Sequence, residues 1–260
     1  VVGDCDGARR RVREVAPQAR QAVTIERHRE MGAWNDGDEV RLTVDGQDVD
    51  FELTALQAGE NLLRRMHREA LAALPDHVRL RAVIGRSGER SFLVAGPRRS
   101  GKTTLALGLL LAGCEVSGDE LVLLRGGWAV AFPWRFMVNE PSVALLPPLR
   151  ALPPVVARGG ALARDWWFAA DPTDFGRPWD IRPAAIESVF WLEPGHGSRS
   201  VVTEAGKLAM TRHLLSQTTA PPSGRSGWLG DITRLVEGAR TFRVEMGDAA
   251  SACIAVADRV

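Results

Sequence analysis

One stretch limits the possible folds of this chain more than any other. Gly96-Pro-Arg-Arg-Ser-Gly101-Lys102-Thr103 lies between a strand-like run, Arg90-Ser-Phe-Leu-Val-Ala95, and an apolar helix-like run from Lys102 to Ala112. Strand, glycine loop and helix in that order are the grammar of an α/β fold. The loop matches GxxxxGK[ST], which chance would place in roughly two chains per thousand of this composition. Its chemistry follows from its geometry. Successive backbone N–H groups turn inward at a helix N-terminus, where the helix dipole also favours negative charge. Gly101 lets backbone approach a phosphate without a Cβ, Lys102 supplies a compact ammonium between β- and γ-phosphates, and the Thr103 hydroxyl suits Mg²⁺. The residues expected to hold ATP are therefore Gly96, Pro97, Arg98, Arg99, Ser100, Gly101, Lys102, Thr103 and Thr104. Lysine stands only at Lys102 and Lys207, while every other basic side chain among the 33 Lys and Arg is arginine. A lysine kept at position 102 in such a background supports the phosphate role.

The rest of the chain narrows the class further. A formal net charge of +1 over 260 residues provides no field to recruit nucleic acid or an anionic membrane. The longest clean apolar run, 105–112, is too short to span a bilayer. The first thirty residues contain no apolar leader run, and Cys5, Cys114 and Cys253 form no CxxC pair. A cytoplasmic protein without a disulfide scaffold or a cysteine zinc site is expected. Two domains are expected, a small α+β unit over 1–76 and a catalytic α/β domain over 77–260. The first holds a short helix and a strand (Ala22–Arg27) within residues 8–30, a hairpin over Glu39–Leu53 turning at Asp45-Gly46, and a helix over Ala55–Leu74. In the second, strands are expected over Val78–Ile84, Ser91–Ala95, Glu115–Ser117, Leu121–Leu124, Ile186–Leu192 and Thr241–Met246. A helix is expected near Gly230–Gly238, the turn Gly85–Gly88 joins the first two strands, 147–154 is a Pro-rich stretch, 157–164 a flexible piece, and 218–227 a mobile Pro/Ser/Gly-rich stretch.

The use of the nucleotide is narrowed by what surrounds the loop. Neither lysine follows an asparagine, so the NKxD base-reading motif of a translational-type GTPase is absent. Motor-type ATPases carry their acidic strand end far downstream, whereas here Asp119-Glu120 arrives 17 residues after Lys102. That spacing places a carboxylate on the strand neighbouring the loop, facing the γ-phosphate. It suits a kinase, in which a carboxylate orients or deprotonates an acceptor hydroxyl.

The run from the glycine loop through Gly113-Cys-Glu-Val-Ser-Gly-Asp-Glu-Leu-Val-Leu-Leu124 resembles the HPr kinase/phosphorylase catalytic domain, which pairs such a loop with an acidic doublet at the same offset. It is also similar to ATP-type phosphoenolpyruvate carboxykinases, and more closely to the scattered HPr-kinase-related proteins, some of which resemble peptide-modifying kinases of lasso-peptide clusters. The resemblance is specific over Val78–Leu124. It implies an HPr-kinase/carboxykinase-like core using ATP and Mg²⁺, with Lys102 and Asp119 as catalytic residues and Asp119 the base toward a serine hydroxyl. It further implies that Glu120 and Thr103 hold the metal, and that Arg182, in a segment like the family's GRNLAxxIE strand, meets phosphate. Arg81-Ala82 stands where the family has His-Gly, and the EIRGxGI signature is absent, with Glu140 in its region.

The expected function is transfer of the γ-phosphoryl of ATP to a hydroxyl, serine of a peptide or small protein. A shikimate- or gluconate-type small-molecule kinase and a non-catalytic ATP sensor are the alternatives. Self-association as a homo-oligomer is left open. The five histidines show no metal spacing, and the tryptophans, Trp128 and Trp191 among them, read mostly as core.

Overall fold

The computed structural model describes residues 31–36, 39–53, 55–151, 167–195 and 199–260. The expected helix and strand within residues 8–30 lie outside these, as do Trp166 and the 157–164 loop. The chain divides into two compact units, 1–75 and 76–260.

In the first unit, β1 (Met31–Asp36), β2 (Glu39–Val44) and β3 (Gln47–Leu53) form an antiparallel sheet in that order. Asp45 and Gly46 both have positive φ, 52° and 76°, the geometry whose twist suits a two-residue hairpin. Helix α1 (Ala55–Ala72) follows. Ala33, Leu42 and Leu62 are buried in this unit.

The second unit is a mixed α/β structure. Its first strands are β4 (Val78–Leu80), β5 (Ala82–Ser87) and β6 (Arg90–Ala95). After the glycine loop come α2 (Lys102–Leu111), β7 (Glu115–Gly118), β8 (Val122–Arg125) and β9 (Trp128–Ala131). Next are β10 (Phe136–Asn139), α3 (Glu140–Leu145) and β11 (Trp167–Ala170). The remainder comprises β12 (Ser188–Pro194), β13 (Val201–Glu204), α4 (Lys207–Ser216), β14 (Thr218–Thr219), α5 (Trp228–Gly238), β15 (Arg240–Met246) and α6 (Ala249–Ala257). Among the described residues no helix is long and apolar enough to cross a membrane.

The main sheet has six strands in the order β13-β15-β12-β6-β5-β7. Strands β6, β12 and β15 are parallel, with Val94 level with Phe190 and Phe190 level with Phe242. Such strands read as unbroken apolar runs because both faces are covered, and Ser188-Val-Phe-Trp-Leu192 is one. Period two sends Phe92, Val94, Phe190, Leu192, Phe242 and Val244 to one face, against Leu105 and Leu109 of α2 and Val256 of α6. Leu93, Ala95, Val189 and Trp191 face the other way. They pack on β4 and β8 of the antiparallel sheet β14-β4-β8-β9 and on Met210, Leu214, Ile232 and Val236 of α4 and α5. Because α2 is covered all round, its residues are apolar nearly all round as well.

Two expectations need correcting. The strand expected over Val78–Ile84 is two strands in different sheets, broken at Arg81. Its N–H donates to the Gln217 carbonyl (2.9 Å), one step beyond the Leu80–Thr218 pair of β4 and β14, and β5 in the main sheet starts at the next residue. The turn expected at Gly85–Gly88 begins later, since β5 runs to Ser87. A Cβ at Gly85 would come 2.5 Å from the Glu115 carbonyl oxygen and 2.6 Å from the Phe92 ring, so this glycine serves close strand packing rather than a turn.

Candidate functional site

Strands β5 and β6 are antiparallel, as are β5 and β7, so β7 runs in the direction of β6. The C-terminal ends of β6, β7, β12 and β15 therefore share one edge of the sheet. In open α/β sheets ligands bind beyond that edge. The glycine loop leaves β6 there and the acidic doublet leaves β7 there. The doublet does not follow the strand adjacent to β6, as the spacing implies: the β5–β6 hairpin occupies that place, and β7 lies one strand further out. Its carboxylates still reach the loop, because they lie beyond the strand end.

The loop is shaped by close contact. A Cβ at Gly96 would stand 2.7 Å from Ser100 Oγ, 2.9 Å from the Leu192 carbonyl oxygen and 3.0 Å from Leu192 Cβ. Gly101 has φ 91° and caps α2 without any side-chain hydrogen bond. The N–H groups of Lys102, Thr103 and Thr104 open the helix, where backbone donors have no carbonyl one turn back. They are the donors an anion would meet. Ser100 Oγ is buried without a hydrogen-bond partner. Gly96→Ala is expected to displace the loop or β12 and to cost about 1–3 kcal/mol. A thermal melt would show a fall of several degrees, and an unchanged melting temperature would contradict this packing.

Lys102 is buried, 7% exposed, and its Nζ donates to the carbonyls of Gly96 (2.7 Å) and Pro97 (2.8 Å). An ammonium has three donors, so one remains. Burial, the largest cause, and the nearby positive charge of Arg81 lower its pKa to about 8, against a smaller upward pull from Glu120 and Asp119.

Asp119 is 3% exposed. Burial pushes its carboxyl up to about 6, opposed by a hydrogen bond from Thr103; Glu120 raises it further, and Lys102 and Arg81 lower it. Asp119 Oδ2 has no hydrogen-bond partner, and the Thr103 hydroxyl lies beside the carboxyl. Glu120 is more open, and its Oε1 lies 2.7 Å from Arg81 Nη2. The structure thus brings Lys102, Thr103, Asp119 and Glu120 together and adds Arg81, which the residue pattern did not single out as a site residue.

Other expected residues sit differently. Thr104 turns its side chain away: Ser142 Oγ donates to Asn139 Oδ1 (2.8 Å), so Thr104 Oγ1 donates to Ser142 Oγ (2.8 Å) and ties α2 to the cap of α3. Only its backbone belongs to the loop. Arg98 and Arg99 are exposed at the mouth, Arg99 with φ 64°, and neither has an ion pair among the described residues. Arg182 is a correction. It pairs with Asp180 (3.0 Å) and Glu115 (3.5 Å) at the start of β7, the end remote from the loop. Trp191 is core, stacked on His213 with ring centroids 4.4 Å apart, whereas Trp128 is exposed.

Hard oxygen donors, namely the Thr103 hydroxyl and the Glu120 carboxylate, fit Mg²⁺ and leave Asp119 Oδ2 without a partner. That ion takes few protein ligands and completes its shell with phosphate oxygens and water. Among the described residues no cluster of three or more His, Cys, Asp or Glu suited to a metal occurs. No family model matches the chain, and no curated protein matches it either.

Proposed function

We propose that the chain is an ATP- and Mg²⁺-dependent kinase with an HPr-kinase-like core, transferring the γ-phosphoryl group to a hydroxyl, serine of a peptide or small protein. The observation that carries this reading is Asp119. It is a buried carboxylate with Oδ2 unspent, beside the Thr103 hydroxyl and the loop lysine. A residue that merely caps a turn has no reason to carry that desolvation. A pKa near neutral, by contrast, is what a general base requires.

The roles follow from the positions. The first-turn N–H groups of α2 and the third donor of Lys102 bind and orient the phosphate chain. Thr103 and Glu120 would hold Mg²⁺, which when bound neutralises charge on the β- and γ-phosphates. Asp119 Oδ2 takes the proton of the acceptor hydroxyl. The acceptor oxygen then bonds to the γ-phosphorus as the bond to the β–γ bridging oxygen breaks, and its electron pair leaves on ADP. Asp119 returns the proton to solvent after product release. Burial of the carboxyl beside the Thr103 hydroxyl holds the base in place before the acceptor arrives.

The test is incubation with γ-labelled Mg-ATP and a pool of serine-containing peptides. Label on peptide with matching ADP is expected. Label on small metabolites alone would favour a small-molecule kinase, and tight binding without transfer would favour an ATP-ordered sensor. Either result would overturn this proposal.

A further inference from the structure

We infer that Arg81 is a γ-phosphate-contacting residue, the side chain by which this site tells a nucleoside triphosphate from a diphosphate. The inference rests on the nucleotide-binding reading of the loop and extends it to a residue outside the motif.

Position is the first argument. The β5–β6 register places Ala82 level with Ala95, so the next pair toward the edge is Arg81 and Gly96, the residue that begins the loop. Cross-strand neighbours have their Cβ positions about 5 Å apart. Arg81 is also the single residue between β4 and β5, in two different sheets, and its N–H is held by the Gln217 carbonyl. Its backbone is anchored on both sides, which is what a residue aimed at a ligand needs.

Charge is the second argument. The Arg81 guanidinium meets Glu120 at 2.7 Å, and its positive charge acts on both Lys102 and Asp119. The fold thus brings a second cation close enough for its charge to act on Lys102, at the loop's edge of the sheet, with Glu120 paired to Arg81. Simple surface pairing explains only the contact with Glu120, and an exposed pair of that kind contributes little. It leaves unexplained why a second cation acts on a buried lysine. A γ-phosphate between the loop and the acidic doublet would explain it: the guanidinium has five donors, and Glu120 engages only part of the fork. The diphosphate, which ends at the loop itself, would not reach it.

The experiment titrates Mg-ATP and Mg-ADP in parallel into the parent chain, Arg81→Gln and Arg81→Lys, with circular dichroism confirming the fold of each. In Arg81→Gln the preference for Mg-ATP over Mg-ADP is expected to shrink about 10- to 100-fold, the share of a charge-assisted contact, with Mg-ADP affinity unchanged. Arg81→Lys should recover part of that preference, because charge returns without the fork. If the glutamine variant does not fold, the lysine variant carries the test through its own reduced ratio. A ratio equal to the parent's, or parallel loss of both nucleotides, overturns the role of Arg81 and leaves the loop reading intact. A parent chain that binds neither nucleotide overturns both.

Discussion

Asp119→Asn is expected to slow phosphoryl transfer by ~10²–10⁴-fold, the share of a positioned acid–base group, while Mg-ATP still binds. The same variant should be more stable than the parent at neutral pH without nucleotide. The Asp119 carboxyl titrates at about 6 in the folded chain against an ordinary 3.8, chiefly because it is buried. Its folded state therefore binds the proton more tightly than its unfolded state. The stabilising contribution is complete below pH 4 and is lost as pH rises through 6. At pH 7 the buried charge costs on the order of 2–3 kcal/mol. Asparagine removes that cost but leaves its own buried amide partly unsatisfied, so a net gain of about 1–2 kcal/mol is expected, or ~2–8 °C in Tm. Melts from pH 4 to 7 would show the parent losing this contribution across the range and the variant losing none of it. A variant less stable than the parent at pH 7 would show that the carboxylate is stabilised by contacts rather than strained.

Lys102→Ala should weaken Mg-ATP binding on the order of 10²-fold or more, since it deletes the loop's charged donor. Lys102→Arg should also fail, because a planar fork cannot replace a compact ammonium buried under the Gly96 and Pro97 carbonyls. The pH dependence has a definite sign. With its pKa lowered to about 8, Lys102 costs the nucleotide-free fold stability below pH 8, and that cost is relieved as pH rises from 8 toward 10.5. Phosphate favours the charged lysine, so binding near pH 8 takes up a proton and weakens as pH rises further. Calorimetry in buffers of different ionisation heat reads that uptake. Equal affinity for the parent and both variants would remove Lys102 from the site.

What could be read in the residues was what local pattern encodes. Asp45-Gly46 marked the hairpin because both positions need positive φ, and the apolar runs of β6 and β12 marked buried strands. Helices α4 and α6 were missed for opposite reasons. Only Met210 and Leu214 of α4 are buried, too thin a stripe to show. The Ala-rich α6 carries little contrast between its faces. Arg81 was hidden more deeply. Nothing near it in sequence resembles a phosphate site, and only the antiparallel return of β5 brings it level with Gly96. Arg182 erred in the other direction, since a motif-like segment does not fix which end of a strand it meets.

The most direct test of a phosphoryl-transfer site at this edge is a single-turnover experiment. The parent chain and Asp119→Asn are loaded with γ-labelled Mg-ATP and mixed with the serine-peptide pool, and bound nucleotide is measured in the same samples. The account predicts that label passes to peptide in the parent and stays on bound ATP in the variant. Label that remains on nucleotide in the parent, or moves equally fast in both, would contradict it.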